Sequence, residues 1–164
     1  MHLIGSMNMM ELIITAMSKK IKYEVIKCPA CNAVQVAEAV ESWPWWGYVH
    51  NCQECNYTIM ESEWDVAEEC KIYLSGKITG LPQQEAIDNF KRVEIKLLHE
   101  GYHVVNPIRN GLPEGTKWNV HMKADIKMMM DCHLVYMLDN WRSSKGAQIE
   151  KELAESLGYK IIYQ

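Results

Sequence analysis

The sequence predicts an α/β protein: a small Rossmann-like or flavodoxin-like parallel-sheet sandwich over residues 70–164, preceded by an N-terminal zinc ribbon over residues 18–69. Three observations predict it. Two Cys-x-x-Cys pairs, Cys28/Cys31 and Cys52/Cys55, stand twenty residues apart. From Lys71 onward, four short apolar runs alternate with three helical stretches. The composition also changes near Cys70: residues 18–69 hold four lysines and nine acidic residues, against thirteen basic and eleven acidic residues after them.

Residues 1–17 read as an N-terminal extension with no assigned role, because Met17-Ser18-Lys19-Lys20 looks like a natural beginning. The extension lacks a basic n-region, and its one apolar run, Leu12 to Ile14, is far too short to span a bilayer. The chain is therefore expected in the reducing cytoplasm, away from membranes. Its 164 residues, 48% of them hydrophobic, suffice for a packed core, and a net charge of −4 gives no general pull toward nucleic acid.

Each knuckle of the ribbon turns two sulfurs toward one centre, so Cys28, Cys31, Cys52 and Cys55 match a four-thiolate structural zinc site. Four filled positions leave none open for catalysis. A redox dithiol pair is the alternative, but it more usually sits beside a single such motif. His50, two residues before Cys52, could replace a ligand but reads better as an exposed loop histidine. Tyr23 to Lys27 and Tyr57 to Met60 are the strand-like flanks. The loop Ser42-Trp43-Pro44-Trp45-Trp46-Gly47-Tyr48 could stack on bases, yet no basic track accompanies it, so packing on protein is the preferred reading. Cys70 and Cys132 read as ordinary thiols.

In the α/β part, Lys71 to Ser75 reads as the first strand. Pro82 to Glu100 follows as a helix with Ala86, Phe90, Val93 and Leu97 on one face, stopped by Gly101. Tyr102 to Asn106 is the second strand, Pro107 to Lys117 a loop, and Val120 to Met130 the second helix, whose Met128-Met129-Met130 run fills core. His133 to Leu138, the helix Gly146 to Leu157, and the strand Lys160 to Tyr163 complete the series. Right-handed crossovers would bring the strand ends at Ser75, Asn106 and Leu138 to one rim, where ligands sit in open α/β sheets.

Four segments near that rim carry a resemblance. Tyr73-Leu74-Ser75-Gly76-Lys77-Ile78-Thr79-Gly80, Ala124-Asp125-Ile126, His133-Leu134-Val135-Tyr136 and Ser144-x-Gly146-x-x-x-Glu150 resemble the nucleoside 2-deoxyribosyltransferase superfamily, especially its short phage and bacterial branch. The resemblance covers residues 70–164 and none of the ribbon. It implies cleavage of an N-glycosidic bond, with Glu150 attacking the anomeric carbon, Tyr73 holding Glu150, and Asp125 as the acid that holds or protonates the departing base. Ser75, Gly76, Lys77, Ile78, Ser144 and Gly146 would contact the substrate. A place in the first helical turn should keep Glu150 ionised. Ser144, where transferases carry an aspartate, is similar to the branch that hydrolyses deoxynucleoside 5′-monophosphates, and Arg142 or Lys145 would suit a phosphate. Lys77 departs from that branch, which has a serine there.

Blander roles compete. Glu150 precedes Lys151 and Glu152 and could be a solvated helix carboxylate, and Asp125 could pair with Lys123 or Lys127. His103 and His121 could face the pocket rim but read better as structural or exposed, while Trp118 and Trp141 could cover a base. The expected function is hydrolysis or transfer at the N-glycosidic bond of a deoxynucleoside or its 5′-monophosphate. Structural zinc is expected, with no organic cofactor, a homo-oligomeric state, and no nucleic-acid partner. The rivals are a nucleotide sensor without turnover and a zinc-ribbon adaptor for protein or nucleic acid.

Overall fold

The structure is a computed structural model and describes residues 20–42, 44–113 and 115–164. The expected extension over residues 1–17, and Trp43 of the aromatic loop, lie outside the described residues. Two compact units divide between Ala67 and Glu68.

The first unit is antiparallel. Strands β1 (Ile21–Lys27) and β2 (Val34–Ser42) pair from Ile21 opposite Val40 to Lys27 opposite Val34. Strand β3 (Trp45–Gly47) extends one edge, and β6 (Asp65–Glu68) the other. Strands β4 (His50–Asn51) and β5 (Thr58–Ile59) form a separate hairpin. Both knuckles use one turn design. Asn32 follows Cys31 at φ 62° and Asn56 follows Cys55 at φ 59°, left-handed conformations that asparagine tolerates better than most side chains. In the first, Cys28 N–H donates to Ala33 O and Asn32 N–H to Cys28 O; in the second, Cys52 and Asn56 donate to Tyr57 and Cys52 in the same pattern. Ile26, Ala37 and Ile59 pack with Cys28 and Cys52 in this unit's core.

The second unit is a four-stranded parallel sheet in the order β10-β9-β7-β8, from β7 (Lys71–Ser75), β8 (His103–Val105), β9 (Leu134–Met137) and β10 (Lys160–Tyr163). All of β7 after Lys71 and all of β9 are buried, as central strands covered on both faces must be. The chain builds outward from β7 to β8 and then returns to β9 on β7's other side. That reversal leaves a crevice beyond the carboxyl ends of β7 and β9.

Helix α1 (Gln83–His99) buries Ala86, Phe90, Val93 and Leu97, the expected stripe, with each large apolar side chain worth about 1.5–3 kcal/mol on burial. Gly101 at φ 89° ends it: Gly101 N–H donates to Leu98 O and Tyr102 N–H to Leu97 O, satisfying the last carbonyls. Helix α2 (Trp118–Met130) starts two residues before the expected Val120. Of its methionine run only Met129 is fully buried, while Met130 is half exposed, because three consecutive helical positions cannot share one face.

Helix α3 (Lys145–Ser156) begins one residue before Gly146, capped by Ser144 Oγ, which accepts from Ala147 N–H at 3.2 Å. Glu150 is therefore its sixth residue and lies in the second turn, not the first. The β8 segment is shorter than the expected Tyr102–Asn106 because the Asn106 side chain turns back to accept from Ile108 N–H and opens a 3₁₀ turn over Pro107–Arg109. No helix among the described residues is long and apolar enough to cross a membrane.

Candidate functional site

A cavity of about 730 Å³ opens at the β7–β9 crevice. Strand β7 supplies the polar groups that hold its buried carboxylate. Tyr73 and Ser75 lie two residues apart, so both project to one face of the sheet, and both are fully buried. Glu150, projecting from α3 over that face, meets them: Tyr73 Oη donates to Glu150 Oε1 at 2.8 Å and Ser75 Oγ to Oε2 at 2.6 Å. Glu150 itself lines the cavity with only 5% of its surface exposed.

Burial dominates the electrostatics of this carboxylate. It pushes the Glu150 carboxyl up to about 7, against the two hydroxyl hydrogen bonds, which favour the charged form, and with the nearby Asp125 carboxylate reinforcing it. The expectation that the helix start keeps Glu150 firmly ionised is therefore corrected. The group sits beyond the first turn, where the helix dipole has faded, and desolvation outweighs it. Tyr73 is raised well above the ordinary tyrosine range, mainly by burial and then by Glu150's charge, so it stays a hydrogen-bond donor.

Asp125 lines the same cavity from α2 and is 7% exposed. It pairs with neither Lys123 nor Lys127 in any described ion pair. Its Oδ1 accepts instead from Asn110 Nδ2 at 2.9 Å, in the loop after β8. Burial raises this carboxyl too, while the Asn110 bond pulls it down. Asn110 also meets His121 Nδ1 at 3.0 Å, and both residues line the cavity. Asn110 was not singled out in the sequence. The signal available was Asn110-Gly111 after a Pro-led turn, a place where asparagine usually serves the backbone.

The remaining predicted contacts separate. Gly76, Ile78, Ser144 and Gly146 line the cavity. Ser75 lies behind Glu150 and touches the cavity only through it. The Lys77 side chain is not part of the lining, and its backbone N–H is engaged by Asn140 Oδ1 at 2.9 Å. Gly76 and Gly146 are required by packing as well. A Cβ at Gly76 would lie 3.0 Å from Leu138 Cβ and 3.1 Å from Asn140 Oδ1, and one at Gly146 would lie 3.0 Å from Met122 Sδ.

Trp118 lines the cavity, with the Lys145 ammonium 5.4 Å from its ring centroid. Trp141 does not; it packs against Tyr163 and lies under Arg142 and Lys151. Among the described residues, no lysine or arginine lines the cavity, which carries two carboxylates. His103 is paired with Glu69 instead.

In the first unit the four knuckle sulfurs all lie within 4.8 Å of one another, with Cys28–Cys55 at 3.8 Å and Cys31–Cys52 at 3.6 Å. Tetrahedral zinc with Zn–S near 2.3 Å spaces its sulfurs about 3.8 Å apart, so these cysteines are positioned to hold such an ion. His50 is not among them: its Nε2 lies 3.2 Å from Gln35 Oε1, which also accepts from Gln53 N–H. Backbone N–H of Cys55, and then the Gln35 side chain, pull the Cys52 thiol down to about 6, whereas burial and the neighbouring thiols push Cys31 up to about 12 and raise Cys55, so without a cation the four sulfurs do not ionise together. Trp45 is largely exposed on β3, and Cys132 is buried with its thiol pushed up to about 12 by desolvation.

A family model described as a domain of unknown function, DUF4406, matches residues 70–163. No curated protein matches the chain.

Proposed function

The chain belongs to the DUF4406 family, and from that premise we propose that its second unit cleaves or transfers the N-glycosidic bond of a deoxynucleoside or deoxynucleoside 5′-monophosphate. One observation carries the reading: Glu150, held at both oxygens by Tyr73 and Ser75, faces a cavity that also holds Asp125. An oxocarbenium-like transition state gains from a fixed carboxylate that it can collapse onto, and a nucleobase leaves more readily when protonated. Glu150 is the nucleophile, Tyr73 and Ser75 orient it, and Asp125 is the acid. The sheet order supports a flavodoxin-like reading of the fold, in which ligands bind at the strand reversal.

In this reading Trp118 covers one face of the base, and Gly76, Ile78, Ser144 and Gly146 line the sugar side. The absence of lysine and arginine from the described lining favours the free nucleoside over the 5′-phosphate, although the α3 N-terminus at Ser144 remains an anion-compatible end. Cys28, Cys31, Cys52 and Cys55 hold a structural zinc ion that stabilises the first unit. The resemblance also carries the proposal of a homo-oligomer.

The test is chromatographic detection of free base after incubating the full chain with a panel of deoxynucleosides and their 5′-monophosphates. Glu150→Ala should abolish release. Equal release by that variant would remove Glu150 from the mechanism, and no release from any member of the panel would sink the glycosidic reading.

A further inference from the structure

The Asp125 side of the cavity is organised by an asparagine whose two amide hydrogens and carbonyl oxygen are all engaged. Asn110 Oδ1 accepts from the backbone N–H of Leu112 at 3.1 Å. A backbone N–H can only donate, so this bond fixes which side of the amide is oxygen. The NH₂ group must then face the other two neighbours, His121 Nδ1 at 3.0 Å and Asp125 Oδ1 at 2.9 Å. Its two hydrogens serve one neighbour each.

The consequence for His121 is a definite tautomer. An amide N–H opposite Nδ1 requires Nδ1 to present its lone pair, which leaves the ring proton on Nε2 and the ring neutral. A proton on Nδ1 would confront the amide hydrogen. Relieving that clash by turning the amide over would sacrifice the Leu112 bond and place Asn110 oxygen against the Asp125 carboxylate. Two bonds would be lost to gain one, so the bonding around Asn110 selects the Nε2–H tautomer.

We propose that Asn110 is a positioning residue that holds His121 as a neutral Nε2–H donor and fixes Asp125 beside it, so that Asp125 alone transfers protons at this end of the cavity. The inference rests on the proposed glycosidic function for the proton-transfer role of Asp125, but not for the state of His121. It also defines the ligand. Whatever meets His121 must accept a hydrogen bond, as a carbonyl oxygen or an unprotonated ring nitrogen of a nucleobase does, while Asp125 presents an oxygen to an N–H or to a nitrogen that takes a proton.

Long-range ¹H–¹⁵N correlation of the histidine rings in the ¹⁵N-labelled full chain tests this at neutral pH. The chain has six histidines, and the resonance lost in His121→Gln identifies the one concerned. Wild-type His121 should show the neutral pattern with Nε2 protonated and Nδ1 bare. Asn110→Asp, which keeps the shape but turns the donor facing Nδ1 into an acceptor, should move the proton onto Nδ1. Asn110→Ala should lower kcat for base release by roughly tenfold or more, within the range that positioned acid–base groups supply, while changing KM much less. A wild-type ring protonated at Nδ1, or a pattern indifferent to Asn110→Asp, overturns the proposal. The wild-type spectrum needs no variant at position 110, so a misfolded substitution cannot obscure the result. Absence of base release with the expected ring pattern would refute the glycosidic function and leave the assignment of His121 standing.

Discussion

Replacing Ser75 by alanine isolates the force that keeps Glu150 partly ionised. The Ser75 hydroxyl donates to Oε2 at 2.6 Å inside a site where both residues are almost completely buried, so no water stands ready to replace it. Hydrogen bonds to charged groups contribute about 1.5–3 kcal/mol net, and one pKa unit corresponds to about 1.4 kcal/mol. The hydroxyl stabilises the carboxylate more than the acid, so its removal raises the Glu150 pKa, by about one to two units from its present value of about 7. Titration of the ¹³C-labelled glutamate carboxyls, with Glu150→Gln used to assign the resonance, reads this midpoint directly. On the proposed mechanism the neutral limb of the pH–rate profile moves to higher pH by the same amount. An unchanged or lowered midpoint in Ser75→Ala would refute the claim that this hydroxyl opposes the desolvation of Glu150.

The same carboxyl makes stability depend on pH. Its folded pKa lies above its unfolded value of 4.5, so its contribution is fully present below about pH 4.5 and is lost as pH rises through about 7. Urea melts should therefore show Glu150→Gln losing about 3 kcal/mol less than wild type across that window, and identical slopes would contradict the burial argument. Metal analysis should find about one zinc per chain, and Cys52→Ser should abolish tight binding; a full complement in the variant would exclude the four-thiolate site. Gly146→Ala would place a methyl 3.0 Å from Met122 Sδ. Because that thioether can shift and alanine favours the helix by up to about 1 kcal/mol, the two effects should nearly cancel in a chemical melt, and a loss of about 3 kcal/mol or more would refute a yielding contact between α3 and α2.

How much of this was legible in the sequence depends on whether a property is local. Strands β7 and β10 match their expected limits because apolar runs bounded by turn residues need no partner to be recognised. The α1 stripe was equally plain, since its period is written in consecutive residues. The knuckle cysteines could be paired by spacing alone, and their sulfurs do come together. Boundaries shifted where a side chain competed with the backbone: Asn106 shortened β8, and Ser144 began α3 one residue early. Glu94 shows the limit. Its spacing from Ala86 and Phe90 puts it on the buried stripe, but its partners, Arg109 at 2.8 Å and Asn106 at 3.0 Å, are ones that only the fold brings to it.

The site shows the same division with a sharper consequence. Tyr73, Asp125 and Glu150 could be named from the sequence, but their charge states follow from burial, which is a property of the whole unit. Burial raises both carboxyls, and the Asp125 charge raises Glu150 further, whereas a nucleophile must be ionised when the acid is protonated. The Ser75 and Tyr73 bonds favour charge on Glu150 but do not outweigh its desolvation, and the Asn110 bond favours charge on Asp125. Raised to about 7, Glu150 titrates close to neutral pH and is within reach of the ionised form that a nucleophile needs. Positive charge developing on a bound sugar would draw Glu150 further toward its ionised form, with Tyr73 and Ser75 already in place to receive it. A carboxylate left more exposed would ionise more readily but would lend that transition state less, because water would screen it.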